Sequence, residues 1–412
     1  MPKTRRINFD TAAATPLDPA IKREMNAYLR SNFANPSGLH QEGVAAAREL
    51  ANARARVAAI LGAHSDEIVF TSGGTEANNL AVFGVVEALE SFGHAVSKSR
   101  KPIWTWRVQM QVVTSAIEHA SVLGAVRVLE GRGVKVSYLS VNREGLVNQK
   151  KLKTALNKKT KLVSIIYAHN EIGVVQPIRE IAKIIRHHCK RHGTVYPYLH
   201  IDACQAPRFL DINVARLGVD LMTINAGKIY GPRGIGALYV RRGVELGAQS
   251  VGGSQEGGRR AGTENVAGAI GLAGALEICA KEREKEAKRL SKLRDQLIAG
   301  LLKIDGVELN GPLTERLPNN VNIGVGVPNL ESEQVVIELD AQGIACSTGA
   351  ACSIPKRDGS YVIMALGRDE VAARNAIRFT LGREATSADV RHVLKSLIAI
   401  FKKYVPSPIT KI

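Results

Sequence analysis

The chain is short of acid: 38 Asp and Glu face 56 Lys and Arg, for a net charge of +18. It also lacks any long apolar run. The longest weakly polar stretch, Val266 to Ala280, is interrupted by Glu277 and is too short to span a bilayer. No apolar segment follows Lys3, Arg5 and Arg6, so no secretory signal is read there and a cytoplasmic location is expected. Cysteine is sparse and odd in number, at positions 189, 204, 279, 346 and 352. No pair has redox C-x-x-C or zinc-knuckle spacing, which argues against a disulfide framework and a structural metal site. The positive charge has no zinc finger, aromatic RNA platform or basic zipper beside it. Its clusters, Lys98 to Arg107, Lys150 to Lys161 and Lys183 to His192, therefore read as solvated basic faces, and no nucleic-acid partner is assigned. Internal repeats and low-complexity linkers are absent too.

What is present is a large folding unit. With 412 residues, 45% hydrophobic and 23% charged, the chain is globular and long enough for two or three domains. Short β-branched runs at 68–71, 108–114, 135–141, 162–168, 198–202, 221–225 and 235–240 alternate with helical segments such as 76–90 and 178–188. That alternation predicts an α/β fold with a mostly parallel mixed sheet covered on both faces and ligands at the strand ends. Beyond residue 265 the texture changes. Residues 266–303 read as one long helix or two joined end to end, with Leu290, Leu293, Leu297 and Leu301 on one stripe, followed by strand-like and helical pieces. The expected division is a large domain over 16–265 and a smaller α+β domain made from 1–15 and 266–412.

Four stretches carry chemistry. Phe70-Thr71-Ser72-Gly73-Gly74-Thr75-Glu76 is a strand running through two glycines into a helix, the outline of a phosphate cradle or of a capped helix. Asp202, at the end of the apolar strand 198–202, needs a positive partner or a capping role. Lys228 follows another apolar strand in a turn rich in Gly and Pro, which suits a Schiff-base lysine. Arg378 lies inside the apolar run 376–382 and calls for an anion, either a substrate carboxylate or an internal acid. Of the thiols, Cys346 reads as structural. Cys352, with Lys356 and Arg357 close by, reads as reactive.

Taken in order, these segments resemble the cysteine desulfurases of the fold-type I, class V family, enzymes dependent on pyridoxal 5'-phosphate (PLP). The likeness runs from Asn8-Phe9-Asp10 to Arg378-Phe379-Thr380 and includes Asn35-Pro36-Ser37, Glu118-His119, 170–176, 228–240 and 261–264. It implies a PLP-dependent transferase fold and removal of sulfur from L-cysteine, giving L-alanine and a persulfide on Cys352. By the same resemblance Lys228 forms the internal aldimine and then moves the α-proton, Asp202 faces the pyridine nitrogen, and His119 stacks on the ring and takes part in catalysis. Asn170 and Gln205 lie near the phenolic oxygen. Gly74, Thr75 and Asn225 belong to the phosphate cradle, Thr263 is delivered to it from the second subunit of a homodimer, and Asn35 with Arg378 clamps the substrate carboxylate. A sulfur-acceptor protein, such as an iron–sulfur scaffold, is the implied partner.

One departure stands out. The family's Ser-x-His before the lysine is Asn225-Ala226-Gly227 here, so two polar phosphate contacts are altered. Losing a hydrogen bond to a charged group costs about 1.5–3 kcal/mol, and weaker cofactor retention is expected. Another class V activity (selenocysteine lyase or aminotransferase) and a non-catalytic relative remain alternatives. Phe92–Met110, basic and holding both tryptophans, also looks longer than the family's usual connection.

Overall fold

A computed structural model describes residues 5–96, 110–327, 330–349 and 359–404. Cys352 with Lys356 and Arg357, and residues 97–109 of the basic-aromatic segment with both tryptophans, lie outside the described residues.

Seven strands build the main sheet: β2 (Ile68–Thr71), β3 (Gln111–Ser115), β4 (Lys135–Leu139), β5 (Thr160–Ile166), β6 (Tyr198–Asp202), β7 (Leu221–Asn225) and β8 (Gly236–Val240). Their spatial order is β2-β8-β7-β6-β5-β3-β4, and only β8 runs antiparallel to its neighbours. The seven apolar runs read from the sequence all become strands, with small shifts: β3 begins at Gln111 and β5 at Thr160.

Successive side chains of a strand point to opposite faces, and both faces are covered here. Val69, Val112, Leu162 and Leu221 pack with the helices Gly74–Val96 and Ala120–Gly131. Their chain neighbours Phe70, Val113, Val163 and Met222 pack into the larger core, with the helices Gln41–Leu61 and Ile178–His192. Neither face can be polar, which is why these strands lack the alternation of a half-exposed sheet.

Residues 266–301 form a single helix of 36 residues, about 54 Å long at 1.5 Å per residue. In its first half, a Cβ on Gly271 would lie 2.7 Å from the Met25 sulfur, so small residues let the helix Pro19–Ser31 approach closely. Its second half buries Leu290, Leu293, Leu297 and Leu301. The smaller sheet has the order β12-β13-β10-β9 and is antiparallel throughout: β9 (Val307–Leu309), β10 (Asn320–Val325), β12 (Ser347–Thr348), β13 (Ala376–Thr380). The opening strand β1 (Ile7–Asn8) pairs in parallel with β11 (Ile344–Ala345), and Asp10 bridges Thr380.

Candidate active site

The parallel strands β2, β3, β5, β6 and β7 all end at one edge of the sheet, and β8 begins there. A cleft of about 230 Å³ opens at that edge. It is lined by Gly74 and Thr75 after β2, His119 after β3, Asn170 after β5, Asp202 and Gln205 at and after β6, and Asn225 and Lys228 from the β7 turn. Arg378 of β13 enters from the smaller sheet. Asn35 and Thr263 do not line this cleft, and both are exposed.

Asp202 is almost fully buried. Its Oδ2 accepts from Asn78 Nδ2 at 2.8 Å and its Oδ1 from the Cys204 backbone N–H at 3.0 Å. Asn78 also donates to Ser121 Oγ at 2.8 Å, and Ser121 meets His119 Nδ1 at 2.8 Å. The backbone N–H of Ser121 donates to the same His119 nitrogen at 3.2 Å. That ring nitrogen is therefore an acceptor, and the neutral imidazole carries its proton on Nε2. Asn78 thus ties the carboxylate of one strand end to the imidazole of another. Neither Asn78 nor Ser121 stood out in the sequence. The available signal was helical spacing, since Asn78 lies one turn beyond Gly74.

Lys228 sits in a short 3-10 turn, Ala226–Lys228, and its Nζ donates to Ala13 O at 2.5 Å. The opening segment is stitched along this turn: Gln205 Nε2 donates to Ala12 O at 3.0 Å, and Thr15 N donates to Gly227 O at 3.1 Å. Residues 12 and 13 therefore wall the cleft, a role the sequence did not reveal. Arg378 meets an internal acid, one of the two readings open to it. Its Nη2 pairs with Asp10 at 2.8 Å and its Nη1 donates to Asn170 O at 3.3 Å, yet Nε is buried without a partner among the described residues.

The thiols sort by environment. Burial, then the Asp202 charge, pushes the Cys204 thiol well above its usual range although it lines the cleft. A Cβ on Gly74 would lie 2.7 Å from Cys204 Sγ, so the glycine leaves the room that this sulfur occupies. Cys346 is half-buried and free, and burial raises its thiol to about 12.

Glu118 lies behind Asp202 and is fully buried. Its Oε1 accepts from Ser115 Oγ at 2.5 Å and Ile166 N at 2.9 Å, while Oε2 has no partner among the described residues. Burial, with a contribution from the Asp202 charge, raises its pKa from 4.5 to about 8. Between those values the folded protein holds a proton that the unfolded chain has released, so stability falls as pH rises. The slope approaches about 1.4 kcal/mol per pH unit inside the window. Urea unfolding of the wild type and Glu118→Gln from pH 5.5 to 7.5 is expected to show this decline in the wild type and a flatter profile in the variant. Parallel profiles would contradict the assignment.

The cleft suits PLP on its own features. A lysine amine and a buried carboxylate share its wall. A glycine-rich turn opens the helix Gly74–Val96, whose first-turn N–H groups have no intrahelical acceptor. Residues 7–393 match the family described as Aminotransferase class-V. The chain belongs to this family. Among class V relatives, the cysteine desulfurase IscS of Dictyoglomus turgidum is 42% identical over 97% of this chain and 95% of that protein. A solved structure titled NifS-like protein has a TM-score of 0.85 at 32% identity, covering 97% of this chain and all of that one. A structure titled SspA in complex with cysteine has a TM-score of 0.74 at 30% identity, covering 91% of this chain and 98% of that one. Like the class V fold of these relatives, the chain is α/β, with a large, mostly parallel sheet and a smaller sheet domain.

Proposed function

We infer that this chain is a PLP-dependent cysteine desulfurase that turns L-cysteine into L-alanine and leaves the sulfur on Cys352. The reading rests on one juxtaposition: Lys228 and Asp202 share a cleft that Arg378 enters from the sheet preceding and following the Cys352 segment. PLP, when bound, supplies an electron sink for charge developing at the substrate α-carbon. The protein's own groups do the rest. Gly74, Thr75 and Asn225 would hold the phosphate end, Asp202 would keep the ring nitrogen protonated, and Asn170, Gln205 and His119 would line the rest of the cofactor's site. Lys228 moves the α-proton. Arg378, with Asn35, receives the substrate carboxylate. The Cys352 thiolate attacks the substrate sulfur: an S–S bond forms, the substrate C–S bond breaks, and the carbon skeleton takes up a proton to become alanine.

The proposal includes a homodimer in which Thr263 completes the partner's phosphate site. Its support is the exposure of Phe33 at 94%, Leu39 at 97% and Val251 at 89%, close in sequence to Asn35 and Thr263, which a single chain leaves outside the cleft. It also includes the division into 16–265 and 1–15 with 266–412, supported by the pairing of β1 with β11. No helix among the described residues is long and apolar enough to cross a membrane. A cytoplasmic setting suits a reaction that needs Cys352 as thiolate, in a chain whose described cysteines are all free. The released sulfur goes to an acceptor protein, with an iron–sulfur scaffold as one candidate.

The test is stoichiometry. Purified protein with PLP, L-cysteine and a thiol reductant is expected to form alanine and sulfide in equal amounts. Amino transfer to an added keto acid, or turnover of selenocysteine but not cysteine, would refute the reading in favour of another class V activity.

A further inference from the structure

We propose that Arg233 closes the phosphate cradle in place of the imidazole that Gly227 lacks; this rests on reading the cleft as a PLP site. The cleft continues into a recess lined by Ser72, Gly73, Gly74, Thr75, Gly227 and Arg233. Arg233 stands between Pro232 and Gly234, just before β8, the strand that starts at the edge where its parallel neighbours end. Gly234 has a φ of 78°, so the backbone turns directly after the arginine. That turn holds Arg233 at the mouth of the cradle.

The missing side chain and this arginine meet in space. A Cβ built on Gly227 would lie 3.7 Å from Arg233 Cγ and 3.6 Å from Asn225 Oδ1. The arginine stem therefore borders the volume that a side chain at 227 would grow into. Asn225 cannot take over both lost contacts, because its Oδ1 is engaged by the Gly227 backbone N–H at 3.1 Å. Its Nδ2 remains on the cradle side, 3.5 Å from a Cβ placed on Gly74.

Arg233 is also uncommitted. It is exposed and takes part in no ion pair among the described residues. Glu76, the acid on the recess wall, is already held by Arg260 at 2.8 Å and by the Ser72 backbone N–H at 2.7 Å. A dianionic phosphate over the amides of Gly74 and Thr75 would be the strongest acceptor within the arginine's reach. A guanidinium can bind it through two parallel N–H donors, where an imidazole offers one.

The experiment compares PLP with pyridoxal, the same ring without its phosphate, by titrating cofactor-free protein and following the visible band of the lysine-bound form. Arg233→Gln is expected to weaken PLP by about ten- to a hundredfold and to leave pyridoxal affinity at the wild-type value. Unchanged PLP affinity, or an equal loss for both ligands, would overturn the assignment while the PLP reading stands. A wild-type protein that gives no visible band with either ligand would remove the PLP reading itself, and the role of Arg233 with it.

Discussion

Lys228→Ala is expected to give a protein without the visible band that PLP produces in the wild type, and without measurable alanine from L-cysteine. The loss follows from geometry as well as chemistry. Among the described residues Lys228 is the only lysine on the cleft wall, and its Nζ donates to Ala13 O at 2.5 Å. No second amine among the described residues lines the cleft to replace it. A positioned proton carrier contributes about 10²- to 10⁴-fold, and loss of the covalent attachment adds to this, so turnover should fall by at least about 10⁴-fold. Absorbance after PLP addition and alanine release are the two readouts. A variant that keeps the band would show that a different amine holds the cofactor.

Cys352→Ala is expected to separate cofactor chemistry from sulfur transfer. The variant should keep the wild-type PLP band, yet lose the protein-bound persulfide and drop in L-cysteine turnover by about a thousandfold or more. The described ends of its segment are anchored close to this cleft. Gly349 N donates to Ala376 O at 3.0 Å and Ser360 N to Ala373 O at 2.9 Å. The Ser360 hydroxyl bonds the Glu171 carboxylate. Glu171 follows Asn170, a residue of the cleft wall. Cys352 is three residues beyond Gly349 in the sequence. Cys204, although in the cleft, is a poor substitute because burial keeps its thiol protonated. Mass spectrometry of the persulfide would decide the matter, and an undiminished persulfide in the variant would move the nucleophile elsewhere.

Much of this was legible in the chain because its signals are local. Buried strands read as apolar runs, so β2, β6 and β7 fall at their expected boundaries. The glycines of 73–74, the strand-end Asp202 and the turn lysine announce themselves by residue type next to a strand. Boundaries moved where capping decided them. The helix expected to end at His188 continues to His192, and Gly193 in the left-handed conformation, with φ 59°, ends it.

By itself, then, the order of residues determined the α/β layering, the strand ends that carry Lys228, Asp202 and His119, and the departure at Asn225 and Gly227. Tertiary structure alone decided which distant side chains meet. It pairs Arg378 with Asp10, runs Asn78 between Asp202 and Ser121, walls the cleft with Ala12 and Ala13, and lays the Arg233 stem beside Gly227. The physical reason is that periodicity and turn chemistry act over a few residues, whereas partners as far apart as 10 and 378 are chosen only when the chain closes and each buried polar group must find its match.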